Sequence, residues 1–454
     1  MTTQQSHGSL GKMRSEAERL FHAAVSRVDP YEAVKRFIHA EGQKLLLGQE
    51  GRPEMVWRLE DFDRIFLVGG GKATARMAKA MEDLLGKRIT SGIINVKYGF
   101  TEALRLTEII EADHPLPDHH GVAGTKRILE LLGEAGEKDL VFSLISGGGS
   151  ALLPQPAHGI TLEEKQAVTR RLLACGASIN EINAVRKHIS SSKGGQMARA
   201  AYPATTVNLM LSDVVGDRMD VIASGPFVPD TSTFKDAWAI FEKYQLTDIP
   251  KAVQGYLQKG MEGQVPETPK RTDRVFDKVS NFIIGSNLLA LEAAKEEAER
   301  MGYQTLILSS MVEGETREVA RVHTAIAKEM LKSGWPLPPP ACVISGGETT
   351  VTIRGEGLGG RNQEFCLASV LDLEGLPQRV VILSGGTDGN DGPTEAAGAI
   401  VDPLTPERAR AQGLSASEYL ERNDAYHFFE KVGDLLMTGP TNTNVMDVRI
   451  ILVR

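Results

Sequence analysis

The chain has 454 residues, 41% hydrophobic and 24% charged, an ordinary composition for a soluble globular protein, and its length exceeds what one core usually supports, so two domains are expected. Its 51 basic and 59 acidic side chains leave a net charge of −8, a balance that argues against a protein coating nucleic acid but not against a small basic pocket. The polar N-terminus has no signal-like apolar stretch, and no apolar run approaches the roughly 20 residues that span a bilayer. Neither secretion nor a membrane partner is therefore expected, and the cytoplasm is the expected compartment.

In chain order, residues 13–47 read as helices, with Asp29 as an N-cap before Pro30. RIFLVGGG is an apolar run stopped by glycines, the pattern of a buried parallel strand ending in a tight turn. A helix follows over ATARMAKAMEDLLG, then strands in SGIINVKYG and LTEIIEAD, a helix around 121–132 and the strand of DLVFSLISGGGS. Residues 161–200 are expected to be helical, with a turn near Ser178–Asn180 and an end at Lys193-Gly194-Gly195, before the strand of TTVNLMLSDVVGD. Such alternation predicts an α/β fold with a parallel sheet covered by helices on both faces. Residues 251–277, rich in Gly, Pro and charge, are the expected boundary between a first domain over 1–250 and a second α/β domain over 278–454. Cys175, Cys342 and Cys366 are far apart and lack metal-site spacing, so buried reduced thiols are expected.

Four apolar strands end in small-residue turns, two in each half. They are Gly69-Gly70-Gly71-Lys72, Ser146-Gly147-Gly148-Gly149-Ser150, Ser345-Gly346-Gly347-Glu348 and Ser384-Gly385-Gly386-Thr387-Asp388. In open parallel sheets, ligands bind beyond the carboxyl ends of strands, where glycines let backbone N–H groups approach an anion. One turn alone is as well explained by strand-to-helix geometry. Four together predict that both halves face one ligand cleft. The familiar nucleotide fingerprints are absent, so any nucleotide must be held in some other way: Gly71-Lys72 lacks the Walker A spacing, and Thr74 replaces the last glycine of G-x-G-x-x-G.

Charged groups beside these turns are the candidate chemistry. Lys72 is suited to neutralise a transferring phosphoryl group. Arg361, bracketed by glycines and followed by Asn362-Gln363-Glu364, is suited to grip carboxylate or phosphate. Asp213, in Ser212-Asp213-Val214-Val215-Gly216-Asp217, is suited to bind Mg²⁺ or take a proton, and Asp388, Asn390 and Asp391 form a second oxygen-rich loop. Arg186-Lys187-His188 and Lys193 form a basic cluster that serves either a helix end or an anionic substrate.

VGGGKA, ISGGGSALL, NAVRKHIS, LSDVVGD, IASGPFVPD, ISGGETTVT, GGRNQE, SGGTDGNDGPT and GPTNTNVMD, in this order from about residue 15 to the C-terminus, resemble the glycerate 2-kinase (MOFRL) family. The resemblance implies a Rossmann-like N-terminal domain and a smaller C-terminal α/β domain. It implies ATP, Mg²⁺ or another divalent cation, and conversion of D-glycerate to 2-phosphoglycerate in an inter-domain cleft. It also implies essential roles for Lys72 and Arg361 and a part for Asp213. Substrate or nucleotide contacts are expected from Gly70, Gly71, Ser146, Gly147, Gly148, Ser150, Arg186, Lys193, Ser345, Gly346, Gly347, Glu348, Gln363, Thr387, Asp388 and Asn390, with Asp213 and Asp388 as metal ligands. An NAD(P)H-dependent hydroxypyruvate reductase is the alternative activity, against which the missing G-x-G-x-x-G counts. Glycerate and ATP are the expected small-molecule partners, and homo-oligomerisation is left open.

Overall fold

The structure is a computed structural model that describes residues 3–49 and 52–454. The chain forms two units, one of Pro30–Ile284 and one of Met1–Asp29 with Gly285–Arg454. This differs from the boundary expected at 251–277. The polar-looking stretch carries a helix, Lys251–Met261, whose Val253 and Leu257 are buried with Phe234 and Phe241 in one cluster. Among the described residues no helix is long and apolar enough to cross a membrane.

The unit of Pro30–Ile284 begins with the helix Pro30–Phe37 and three antiparallel strands, β1 (Ile38–Glu41), β2 (Lys44–Gln49) and β3 (Arg52–Arg58). Helix was expected through residue 47. Gly42, at φ +60°, instead turns the chain back after Glu41. The buried Leu45 and Leu47 then follow the period of a strand, not a helix.

The main sheet of this unit comprises β4 (Arg64–Gly70), β5 (Ser91–Lys97), β6 (Thr107–Ala112), β7 (Asp139–Ile145), β8 (Thr205–Leu211) and β9 (Val279–Gly285) in the spatial order β6-β5-β4-β7-β8-β9. Strands β4 to β8 pair in parallel. Alternate residues of β4 feed separate cores: Ile65 and Leu67 join one, Phe66 and Val68 the other. That two-sided burial is why the run reads as continuously apolar.

The other unit has a mixed sheet. Its strands are β10 (Gln304–Val312), β11 (Ala341–Gly347), β12 (Val380–Gly386), β13 (Gly398–Val401), β14 (Leu435–Leu436) and β15 (Asp447–Val453), in the spatial order β10-β11-β15-β12-β13-β14. Only β10 and β11 pair in parallel, while β15 runs antiparallel between β11 and β12. The helix Thr3–Arg27 belongs to this unit because Leu10, Met13, Ala17, Leu20, Phe21 and Ala24 form one stripe in the core under β12 and β15. Gly385 leaves room for the Phe21 ring, 2.7 Å from where a Cβ would stand. Arg14 extends the contact by pairing with Asp402 at 2.6 Å and Asp434 at 2.7 Å. All three cysteines are free; Cys342 and Cys366 are buried, whereas Cys175 is partly exposed.

Candidate active site

In the parallel sheet, the chain runs from β4 outward through β5 and β6, then returns to the other side of β4 for β7 and β8. The direction of crossover therefore reverses between β4 and β7, where open α/β sheets leave a crevice at the carboxyl ends of their strands. Both glycine turns of this unit lie there. The Lys72 N–H donates to the Gly147 carbonyl at 2.9 Å, and the Ala73 N–H to Ser146 Oγ at 3.0 Å. The two turns are thus laced together. Gly71 adopts φ +151° with Ser146 Oγ filling the space of a Cβ, and Gly148 adopts φ +82°.

The strand ends set charged groups around this seam. Lys72 follows β4, Lys97 ends β5, His114 follows β6 and Asp213 follows β8. A Cβ on Gly148 would stand 3.0 Å from His114 Cδ2 and 3.4 Å from Lys72 Cγ, and one on Gly147 would meet the Asp213 carboxylate. Burial, with the Lys72 and Lys97 charges, lowers His114 to about 4, so its imidazole is neutral at physiological pH. Among the described residues, no carboxylate pairs with the Lys72 ammonium. Its side chain packs against Gly148, and its charge acts on His114.

The next turn along carries a second cationic group. Lys193 donates to the Ser150 carbonyl at 2.7 Å and Arg186 to the same oxygen at 3.3 Å. Burial lowers Lys193 well below the usual lysine range, and Arg186 and Lys165 add like charge to the effect. Their sequence neighbours have other work. Lys187 pairs with Asp230 at 3.3 Å, and His188 bonds Glu267 at 2.8 Å with its ring edge-on to Phe234. The basic cluster therefore divides into a structural half and a half beside Ser150.

In the mixed sheet, Gly347 at the end of β11 and Gly386 at the end of β12 are both in register with Asp447, the first residue of β15. The fully buried Asp447 carboxylate accepts from Arg361 Nε at 2.7 Å, Asn362 Nδ2 at 2.9 Å and Arg449 at 3.0 Å. Arg361 also pairs with Glu348 at 2.8 Å. Burial opposes the Arg361 charge, but these carboxylates raise its pKa still further. Burial, reinforced by Asp447 and Asp388 against Arg361, raises Glu348. Arg361 opens the helix Arg361–Leu373, whose Asn362 and Gln363 N–H groups donate to Asp391 at 3.0 and 2.8 Å. Burial raises Asp391 to about 7. Arg361 and Glu348 line a cavity of about 520 Å³, with Thr349, Val351, Gly359 and Gly360 among its walls.

Other expected contacts prove to be internal. Gly70 gives way to the Leu153 side chain, Gly346 is pressed against Asn287, and Gly347 against the Val312 backbone. Ser345 Oγ bonds His323 Nε2 at 2.8 Å. Gln363 Nε2 bonds Thr394 at 2.7 Å. Thr387 Oγ1 donates to the Met446 carbonyl at 2.7 Å and accepts from Val445 N–H at 2.9 Å. Asp388 accepts from the Asn390 N–H at 3.2 Å, an ordinary turn contact. Among the described residues no group of three or more His, Cys, Asp or Glu side chains is arranged to hold a metal ion.

Nothing in the sequence alone singles out His114 or Asp447, although His114 stands just past EAD and Asp447 ends GPTNTNVMD. Only the fold brings them beside Gly148 and Arg361.

Two family models match the chain. One, a domain of unknown function (DUF4147), covers residues 16–258, and the MOFRL family covers 341–447. A D-glycerate 2-kinase from Thermotoga maritima is 45% identical, with 87% of this chain and 91% of the relative covered. A protein from Agrobacterium vitis named a putative hydroxypyruvate reductase is 40% identical, with 97% and 94% covered. A crystal structure of a glycerate kinase from Thermotoga maritima superimposes with a TM-score of 0.88 at 41% identity, covering 98% of this chain and all of that one. With the laced turns around Lys72 and the carboxylate-held Arg361, this similarity along nearly the whole chain places the protein in the glycerate 2-kinase family.

Proposed function

We propose that the protein transfers the γ-phosphoryl group of ATP to the 2-hydroxyl of D-glycerate, giving 2-phosphoglycerate and ADP. The observation that carries this reading is Lys72 at the reversal point of the parallel sheet, its side chain against Gly148 and, among the described residues, without a carboxylate partner. Phosphoryl transfer asks the protein chiefly for positioning and charge stabilisation. Lys72 neutralises negative charge on the transferring group, and neutral His114 offers a hydrogen bond there without a competing proton. Asp213, against Gly147, takes the proton of the attacking hydroxyl as its oxygen bonds to phosphorus and the bond to ADP breaks. In the mixed-sheet unit, Arg361, fixed from behind by Asp447, is a further candidate cation, held so that it need not reorganise when it meets an anion.

A divalent cation travels with ATP in this scheme and neutralises phosphate charge when bound. Held mainly by the phosphates, it would need few protein ligands, which leaves the Asp213 carboxylate to act as base.

The test is a coupled assay with ATP, Mg²⁺ and D-glycerate, with phosphorus NMR of the product. ATP-dependent formation of 2-phosphoglycerate is expected. Oxidation of NADH by hydroxypyruvate without ATP, and no phosphorylated product, would replace this reading with the reductase.

A further inference from the structure

The cations beside Ser150 have more positive charge than the fold itself uses. Lys165 and Lys193 are 5% and 1% exposed, and both lie close enough to Arg186 for like charges to repel. The hydrogen-bond partners of the two lysines are neutral: the carbonyls of Pro154, Gln155 and Ser150 and the hydroxyls of Ser190 and Ser150. Arg186 gives an N–H to the Ser150 carbonyl at 3.3 Å and, among the described residues, makes no ion pair. A guanidinium has five donors in a flat fork, so most of this one's capacity is unspent. Such a group normally sits opposite a carboxylate or phosphate.

The hydroxyls next to it are held at some cost. Ser150 Oγ lies 2.7 Å from Ser224 Oγ, which donates to Asn183 Oδ1 at 3.2 Å. Ala223 and Ser224 adopt φ +50° and +63°, left-handed conformations that L-residues rarely take. Backbone strain of this kind persists where the surroundings impose it, and it clusters at ligand sites. Here it delivers the Ser224 hydroxyl to Ser150, on the same loop as the arginine's partner carbonyl.

We propose that Arg186, Ser150, Ser224 and Asn183 form the subsite for the acceptor, with the guanidinium gripping its carboxylate and the Ser–Ser–Asn group reading an adjacent hydroxyl. Lys193 and Lys165 stand behind as buried donors that hold the Ser150, Pro154 and Ser190 oxygens in place. The chemistry recognised is that of a small hydroxy-carboxylic acid. This rests on the glycerate reading above, and the site lies one turn of chain from Gly148, against which Lys72 and His114 pack.

Wild-type turnover of D-glycerate, measured first, tests the reaction itself and stands apart from the subsite. Given that turnover, Arg186→Met should raise KM for D-glycerate at least tenfold and leave KM for ATP within twofold. Arg186→Lys should recover part of the loss, since it restores charge without the fork. Ser224→Gly removes the hydroxyl while suiting the left-handed backbone, so its melting temperature should hold or rise while KM for D-glycerate increases several-fold. Calorimetric titration of D-glycerate into each variant should show the same loss of affinity. A rise in KM for ATP instead would assign the cations to the donor's phosphates and overturn the proposal. So would a Ser224→Gly variant that binds D-glycerate within twofold of wild type.

Discussion

Asp447 offers the sharpest test of how the mixed sheet holds its arginine. Replacement by Asn keeps the shape and one acceptor oxygen but removes the charge from a side chain with no solvent exposure. Two guanidiniums then lose their common partner. Arg361 keeps Glu348 and has 32% of its side chain exposed, so solvent screens its loss. Arg449 is fully buried and keeps only a bond to Thr349 at 3.0 Å and the Phe365 ring below its guanidinium. Leaving such a charge unpaired costs about 3–5 kcal/mol, which in a unit of this size lowers Tm by roughly 6–20 °C. Differential scanning calorimetry of Asp447→Asn should show one unit melting early, and turnover should fall because Arg361 loses its anchor. Arg361→Met is the control, since it spares the Asp447–Arg449 pair and should move Tm by no more than about 3 °C. A melting curve for Asp447→Asn that superimposes on the wild type would refute the argument that this carboxylate anchors both arginines.

Lys72→Met and Arg361→Met should each lower kcat by ~10²–10³, the rate equivalent of about 3–4 kcal/mol of lost charge stabilisation, with circular dichroism unchanged; near-wild-type turnover in either folded variant removes that residue from the mechanism. His114 should titrate near 4 in a histidine-ring NMR experiment on the ligand-free protein. Because its folded pKa lies below the unfolded 6.5, the stability linked to its neutral form is present above pH 6.5 and is lost as pH falls toward 4. Lys72→Met should move that midpoint upward, and an unmoved midpoint would show that the two charges do not interact. Gly148→Ala places a methyl about 3 Å from the His114 ring at φ +82°, so it should cost about 1–2 kcal/mol in denaturant unfolding and depress kcat; a neutral substitution would mean that the turn tolerates displacement.

The parts of the fold legible in the sequence were those with a local signature. β4 and β7 announced themselves as apolar runs stopped by glycine, and Lys72 and Arg361 stood beside the turns that made them conspicuous. The hairpin of β1 and β2 was hidden because Ala, Glu, Gln, Lys and Leu favour helix, and only tertiary burial of Leu45 and Leu47 overrides that preference. Antiparallel β15 between two parallel strands could not be inferred from VRIILV, since an apolar run carries no direction. The glycines gave a mixed signal. At Gly148 the close neighbours are His114 and Lys72, whereas at Gly346 and Gly385 they are Asn287 and Phe21, so the same residue type marks a candidate site in one turn and packing in another. Asp447 is not conspicuous in the sequence because two of its partners, Arg361 and Asn362, lie about 85 residues back in the chain and only the fold adds them to Arg449.

The helix Thr3–Arg27 docks against β12 and β15, whose last residue, Val453, stands one place from the end of the chain. During synthesis this helix is made well before the strands that seat it, with the whole Pro30–Ile284 unit between them in sequence. At roughly 5–20 residues per second, its stripe of Leu10, Met13, Leu20 and Phe21 waits for tens of seconds while the entire Pro30–Ile284 unit is made and folds. β15 is also an interior strand, so β11 and β12 cannot be joined through it until it has been made. Helix and strand complete one core only after the unit between them in sequence has been synthesised.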